Sequence, residues 1–258
     1  MKKISAILLL LPTLYLVAVP VYYAGKSLRM HFTGINIIIA DSSEYHFITH
    51  KRIQNLIDNN YGKIIGKTVG EVRLSEIEKD LSSLRELKIA EVYVTAEGTL
   101  NVYADQRDPV MRVLANDGGD YYIDNEGIVI RRRNLYSPRL HIVGGNVNIS
   151  QAMLDGVSVL DTSIKNSILK DIYYLVDYIK NDSFWSAQID QIYVDGNNEI
   201  DLIPRVGNHL IHLGTADNFA GKLRNLSEFY DKVLPAVGWN KYSVINLAFS
   251  DQIVCRRR

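Results

Sequence analysis

From Ile4 to Gly25 the chain runs 22 residues without a charge, preceded by Lys2 and Lys3 and followed by Lys26 and Arg29. At about 1.5 Å per helical residue such a run reaches across a hydrocarbon core of roughly 30 Å. It therefore predicts a transmembrane helix over 4–25, a cytoplasmic tail of residues 1–3, and a folded remainder confined to one side of the membrane. A cleaved secretory signal is the rival reading. Signals have a shorter apolar stretch and small residues at the cut, whereas this run ends in Pro20, Val21, Tyr22 and Tyr23. Tyrosines at that depth suit the headgroup level, so the sequence favours an uncleaved anchor. Basic residues lie on both sides, which leaves charge bias undecided. A short basic start ahead of a first span predicts a cytoplasmic N-terminus with the bulk of the chain outside.

The rest has the composition of a folded body. Apolar residues make up 47% of the chain and charged ones 22%, with 29 acids balancing 29 bases. No global basic field points to nucleic acid. The single Cys255 excludes an internal disulfide, so burial has to hold the fold together.

Residues 35–106 read as strand, helix, helix, strand, strand. Ile35 and Ile37 to Ile39 form a short β-branched run, and Thr49 is placed to cap a helix carrying Ile53, Leu56 and Ile57 on one face, with Gly62 beyond its end. A second helix is expected to start at Ser75, where Ser75 to Glu78 spell a capping box. Ala90, Val92 and Val94, then Leu100, Val102 and Ala104, alternate as a hairpin around Glu97 and Gly98.

Pro109 in Gln106-Arg107-Asp108-Pro109-Val110 cannot donate to an interior ladder and marks a joint. Beyond it, strands are expected at 110–114, 121–123, 128–130 and 141–143, with turn chemistry in Asp124-Asn125-Glu126-Gly127. A helix is predicted over 164–180, an antiparallel meander over 189–213, a helix over 218–234, and a last strand over 242–249. Ser250, Asp251 and Gln252 interrupt the pattern before Ile253, Val254 and Cys255, and Arg256 to Arg258 form a basic tail. The fold class is α+β: a β-α-α-β-β domain at 26–106, then a mostly antiparallel β domain with flanking helices at 107–255.

Together, the anchor, QRDPV, YYIDNEG, VGNHLIHLG, KLRNLSEFY, GWNKYSVINLAF and SDQIVCRRR resemble the FtsQ/DivIB cell-division family in its Bacteroidota form, and the first folded unit resembles a POTRA domain. The resemblance covers nearly the whole chain. It implies a non-enzymatic divisome scaffold in the inner membrane that binds FtsB and FtsL through the distal domain, with the last strand accepting a strand from FtsB. Carried over by position, the partner-binding residues are Tyr242, Val244, Phe249, Ser250, Asp251, Gln252 and Val254.

Hidden chemistry is not indicated. His209 and His212, three apart in a strand, point to opposite faces, and no zinc spacing, nucleotide motif or nucleophile elbow occurs. No catalytic residue, cofactor, metal, nucleic acid or small-molecule substrate is expected. Arg131 to Arg133 and Arg256 to Arg258 suit either an anionic partner or a solvated face. The competing classes are an envelope assembly factor, which would repeat the POTRA unit, and an anchored cell-wall enzyme, which would need a convergent polar constellation.

Overall fold

A computed structural model describes residues 15–16, 18–19, 22, 28–40, 46–133, 138–165, 167–249 and 252–258. The span expected over 4–25 lies outside them apart from isolated positions, and among the described residues no helix is long and apolar enough to cross a membrane. The chain divides into two compact units, Met1–Gln106 and Arg107–Arg258.

In the first unit, β1 (Gly34–Ile39), α1 (His50–Tyr61), a 3-10 turn (Val69–Glu71), α2 (Leu74–Ser82), β2 (Leu87–Val94) and β3 (Thr99–Gln106) follow one another. The strands lie in the order β1-β3-β2, with β3 parallel to β1 and antiparallel to β2. Alternation along β3 turns Leu100, Val102 and Ala104 to one face, where Ile53, Ile57, Ile77 and Leu81 of the two helices cover them. Thr49 caps α1 as expected, its hydroxyl accepting from the Arg52 amide at 3.3 Å. The capping box expected at Ser75 is not formed. Arg73 precedes α2, and the Glu78 carboxylate instead accepts from the Val92 amide of β2 at 3.2 Å. The box motif occurs seven residues earlier, where the Glu71 carboxylate accepts from the Thr68 amide at 2.6 Å and from its hydroxyl at 2.9 Å. Helix α2 begins at Leu74, so Ser75 lies inside its first turn and cannot serve as the cap.

The second unit is built on a nine-stranded sheet in the order β12-β11-β10-β9-β8-β7-β4-β5-β6. Its strands are β4 (Pro109–Leu114), β5 (Asp120–Asp124), β6 (Val129–Arg131), β7 (His141–Gly145), β8 (Ile189–Val194), β9 (Ile200–Pro204), β10 (Leu210–Gly214), β11 (Tyr242–Asn246) and β12 (Val254–Arg257). The helices are α3 (Gln151–Leu154), α4 (Ile168–Asn181), α5 (Ser183–Gln188), α6 (Phe219–Lys232) and α7 (Leu234–Val237). The 189–213 meander is present as β8-β9-β10. The sheet as a whole is more mixed than expected, because β4 and β7, β7 and β8, and β10 and β11 pair in parallel. Parallel neighbours require a crossover, and α4 with α5, and α6 with α7, supply two of them. One sheet face carries Val143, Ile192, Val194, Leu202, Ile211 and Ile245 into a single core with Leu169, Ile172, Val176, Leu223 and Leu226 of the helices.

Two expected boundaries move for local reasons. Helix α4 begins at Ile168 and not at 164, since the Ser167 hydroxyl accepts from the Leu169 amide and Asp161 closes a separate turn on the Ser163 amide. It ends at Asp182, whose carboxylate accepts from the Phe184 and Trp185 amides and so starts α5. The last predicted strand splits: β11 stops at Asn246, whose side-chain oxygen accepts from the Ala248 amide at 2.8 Å.

Candidate functional site

Strand β12 is one margin of the nine-stranded sheet, paired with β11 on its inner side. Its outer row of amides and carbonyls has no strand beside it among the described residues, and such an edge is a template for another chain. Strand β11 lies one place inside, parallel to β10 and antiparallel to β12. Two irregular features hold the hairpin together. A register shift falls between Tyr242 and Val244, and there the Ser243 hydroxyl lies within 3.3 Å of the Arg256 and Arg257 carbonyls. One residue further along the same end, the Arg258 amide donates to the Lys241 carbonyl, while its guanidinium donates to the Asn208 carbonyl ahead of β10.

Pleating then divides the hairpin. Ile245 and Leu247 are buried in the core, and Ile253 and Cys255 pack against it half-buried. Burial pushes the Cys255 thiol pKa up, which disfavours the thiolate. Val244 pairs with Arg256 and Asn246 with Val254, placing an apolar and basic row beside the free edge. Val254 is 44% exposed and Phe249 52% exposed.

The residues expected to bind a partner therefore fall into three groups. Val254 and the exposed Gln252 lie on or beside the edge strand. Tyr242 and Val244 belong to the inner strand, where Tyr242 packs on Phe229 with ring centroids 6.0 Å apart. Phe249 lies in the connection and not in a strand, which corrects its expected place at the end of 242–249. Ser250 and Asp251 lie outside the described residues. Arg256 and Arg257, expected in a basic tail beyond the domain, are instead strand residues of β12, and Asn246 is the one residue here without a sequence signal; the second apolar run Ile253 to Cys255 after a polar break is a hairpin signal.

The other predicted polar residues have structural partners. His209 is buried, with Nε2 2.7 Å from the Tyr230 hydroxyl. His212 turns to the opposite face, with Nδ1 2.8 Å from Asp201. Asp190 pairs with Arg205, and Asp195 organises a turn by accepting from the Asn197 and Glu199 amides. Among the described residues no group of three His, Cys, Asp or Glu is placed to hold a metal. The Arg131 to Arg133 run is partly consumed: Arg132 shares Asp120 with Arg112, and Arg131 lies over the Tyr121 ring. The Arg112 guanidinium, followed by Arg132, holds the Asp120 carboxyl below its ordinary range despite partial burial.

The two short motifs flanking the joint meet in space. Arg107 of QRDPV donates to Asp124 of YYIDNEG at 2.7 Å and to Glu126 at 2.9 Å. The other Asp124 oxygen accepts from the Glu126 and Ile128 amides. Gly127 follows with φ near +76°, in a place where a Cβ would come within 2.4 Å of Ser158.

Comparison with protein-family models gives two matches. The model described as FtsQ/DivIB, C-terminal related, matches residues 108–256, and a POTRA-like domain model matches residues 32–104. No curated protein matches the chain.

Proposed function

The chain belongs to the FtsQ/DivIB family, and from that premise we propose that it is a bitopic divisome scaffold that captures FtsB- and FtsL-like proteins at the septum by strand addition on β12. The family's domains are non-catalytic scaffold modules, and membership implies protein contacts within the division complex. The observation that carries the finer reading is the free edge of β12, flanked by exposed Val254 and Phe249 and by Arg256 and Arg257. Backbone groups of such an edge supply affinity, and alternate side chains supply selectivity.

In this reading the 4–25 run is an uncleaved inner-membrane anchor, with residues 1–3 in the cytoplasm and the 26–106 and 107–255 domains in the periplasm. The uncharged length of that run supports it. Tethering beside other short anchored proteins raises their effective concentration without any new contact. A pull-down of FtsB by the membrane-embedded chain tests the strand-addition step. Phe249→Glu and Val254→Glu are each expected to abolish capture while leaving thermal unfolding unchanged; full capture by both would remove it. Depletion in cells is expected to give undivided filaments, and normal division would defeat the scaffold reading itself.

A further inference from the structure

Away from the β12 edge, three parallel neighbours, β4, β7 and β8, end at the same side of the sheet. The segments leaving β7 and β8, with α3 and the start of α4, line an open cleft of about 440 Å³, within the range of small-ligand sites, and the carboxyl ends of parallel strands are where open sheets commonly bind ligands. Its floor is apolar, formed by Ile149, Met153, Ile164 and Ile168.

The polar rim combines the hydroxyls of Ser150, Ser163 and Ser167 with asparagine amides and Lys165, and the asparagines form a connected chain. Asn116 Nδ2 donates to Asn146 Oδ1 at 2.9 Å and to Asn148 Oδ1 at 3.2 Å, and Asn146 Nδ2 donates to Asn198 Oδ1 at 3.2 Å. The Asn116 oxygen is taken by the Val147 amide. Each side-chain oxygen in the chain of amides thus accepts one bond, while the amino groups of the exposed Asn148 and Asn198 donate to no protein acceptor among the described residues. Among the described residues, exposed Lys165 also lines the cleft without an ion pair, and no carboxylate lines it. Backbone geometry holds the arrangement open. Gly145, just before Asn146, has φ near +93° and lies so close to β8 that a Cβ would meet the Val194 carbonyl at 2.0 Å.

Two amide amino groups and one ammonium, with no carboxylate beside them among the described residues, above an aliphatic floor suit an anion attached to an apolar body. We propose that this cleft binds a carboxylate on a short aliphatic frame, as at the C-terminal end of a peptide. Lys165, Asn148 and Asn198 hold the carboxylate, and Met153 and Ile164 receive the aliphatic part. This site is separate from the β12 edge and does not depend on partner capture there.

Saturation-transfer NMR on the detergent-solubilised full chain, with N-acetyl-alanyl-alanine, its C-terminal amide and butyrate as probes, tests the assignment. The dipeptide acid is expected to bind saturably and its amide about tenfold more weakly, a loss comparable to one charge-assisted contact. Lys165→Met and Asn198→Asp are each expected to weaken the acid by a similar factor, with unchanged thermal unfolding and unchanged FtsB capture. Butyrate weaker than the dipeptide supports a peptide end as the source; butyrate equal to it supports a simple acid of the same chemistry. Equal binding of acid and amide, no saturable binding of the acid, or acid binding unaffected by either variant would overturn the site.

Discussion

At the residue scale, Asp124 shows how much one buried carboxylate can organise. It is almost wholly buried, yet it accepts two turn amides and pairs with Arg107. Removing one partner of a buried pair leaves an uncompensated charge and typically costs about 3–5 kcal/mol. Asp124→Ala is therefore expected to lower the stability of the second unit by about that amount in urea unfolding, with Asp124→Asn milder because it can keep the turn bonds. His209 and His141 act in the same sense as carboxylates with depressed pKa values, but in a higher pH window. Burial, then Arg258, pushes the His209 pKa below its ordinary 6.5, and burial, then Arg205, does the same for His141. As pH falls below about 6.5 the unfolded chain takes up protons that the folded one refuses, so stability declines until the folded pKa values are reached. Above that window the effect is absent. Unfolding midpoints measured across the acid range are expected to fall, and His209→Phe is expected to flatten part of the slope. A further buried group, Lys222, donates to the Leu213 and Thr215 carbonyls at 2.9 and 2.8 Å after β10. Lys222→Met leaves both carbonyls unsatisfied and is expected to cost about 1–3 kcal/mol by urea unfolding.

At the element scale, pattern was a good guide wherever one face is buried. Helix α1 with its Thr49 cap, the β2-β3 hairpin and the β8-β9-β10 meander follow from periodicity and turn residues alone, because burial demands a fixed alternation. Pattern failed where a signature depends on where the helix starts. Ser75 to Glu78 spells a capping box, but α2 begins at Leu74, which leaves Ser75 inside the first turn while the Glu78 carboxylate accepts from the Val92 amide. The candidate edge was half legible in the same way. Ile253 to Cys255 signalled a strand, but its pairing with β11, which moves Tyr242 and Val244 inward, is a long-range choice. Amide hydrogen exchange follows that order. Strand β11, bonded on both sides, is expected to exchange more slowly than β12, bonded on one, and capture of a partner strand is expected to raise protection in β12 above all. Equal exchange in the two strands, unchanged by partner, would contradict strand addition.

For the whole molecule, the anchor proposed at 4–25 would bear on where the folded units work. If it acts as a tether, an unrelated uncharged span of equal length is expected to preserve division, and a cleavable signal in its place to abolish it, as read by cell length during depletion of the native protein. Loss of division with the unrelated span would mean that the native span makes contacts of its own.

The sequence by itself determined most of the longer elements and the family, because amphipathic period, turn chemistry and short motifs are local properties of the chain. Only the tertiary structure decided strand order, the parallel pairs made by the helical crossovers, the meeting of Arg107 with Asp124, and which strand is left at the edge. Each depends on pairing between residues far apart in sequence, and local pattern carries no record of which distant partner offers the best burial and the fewest unpaired backbone groups.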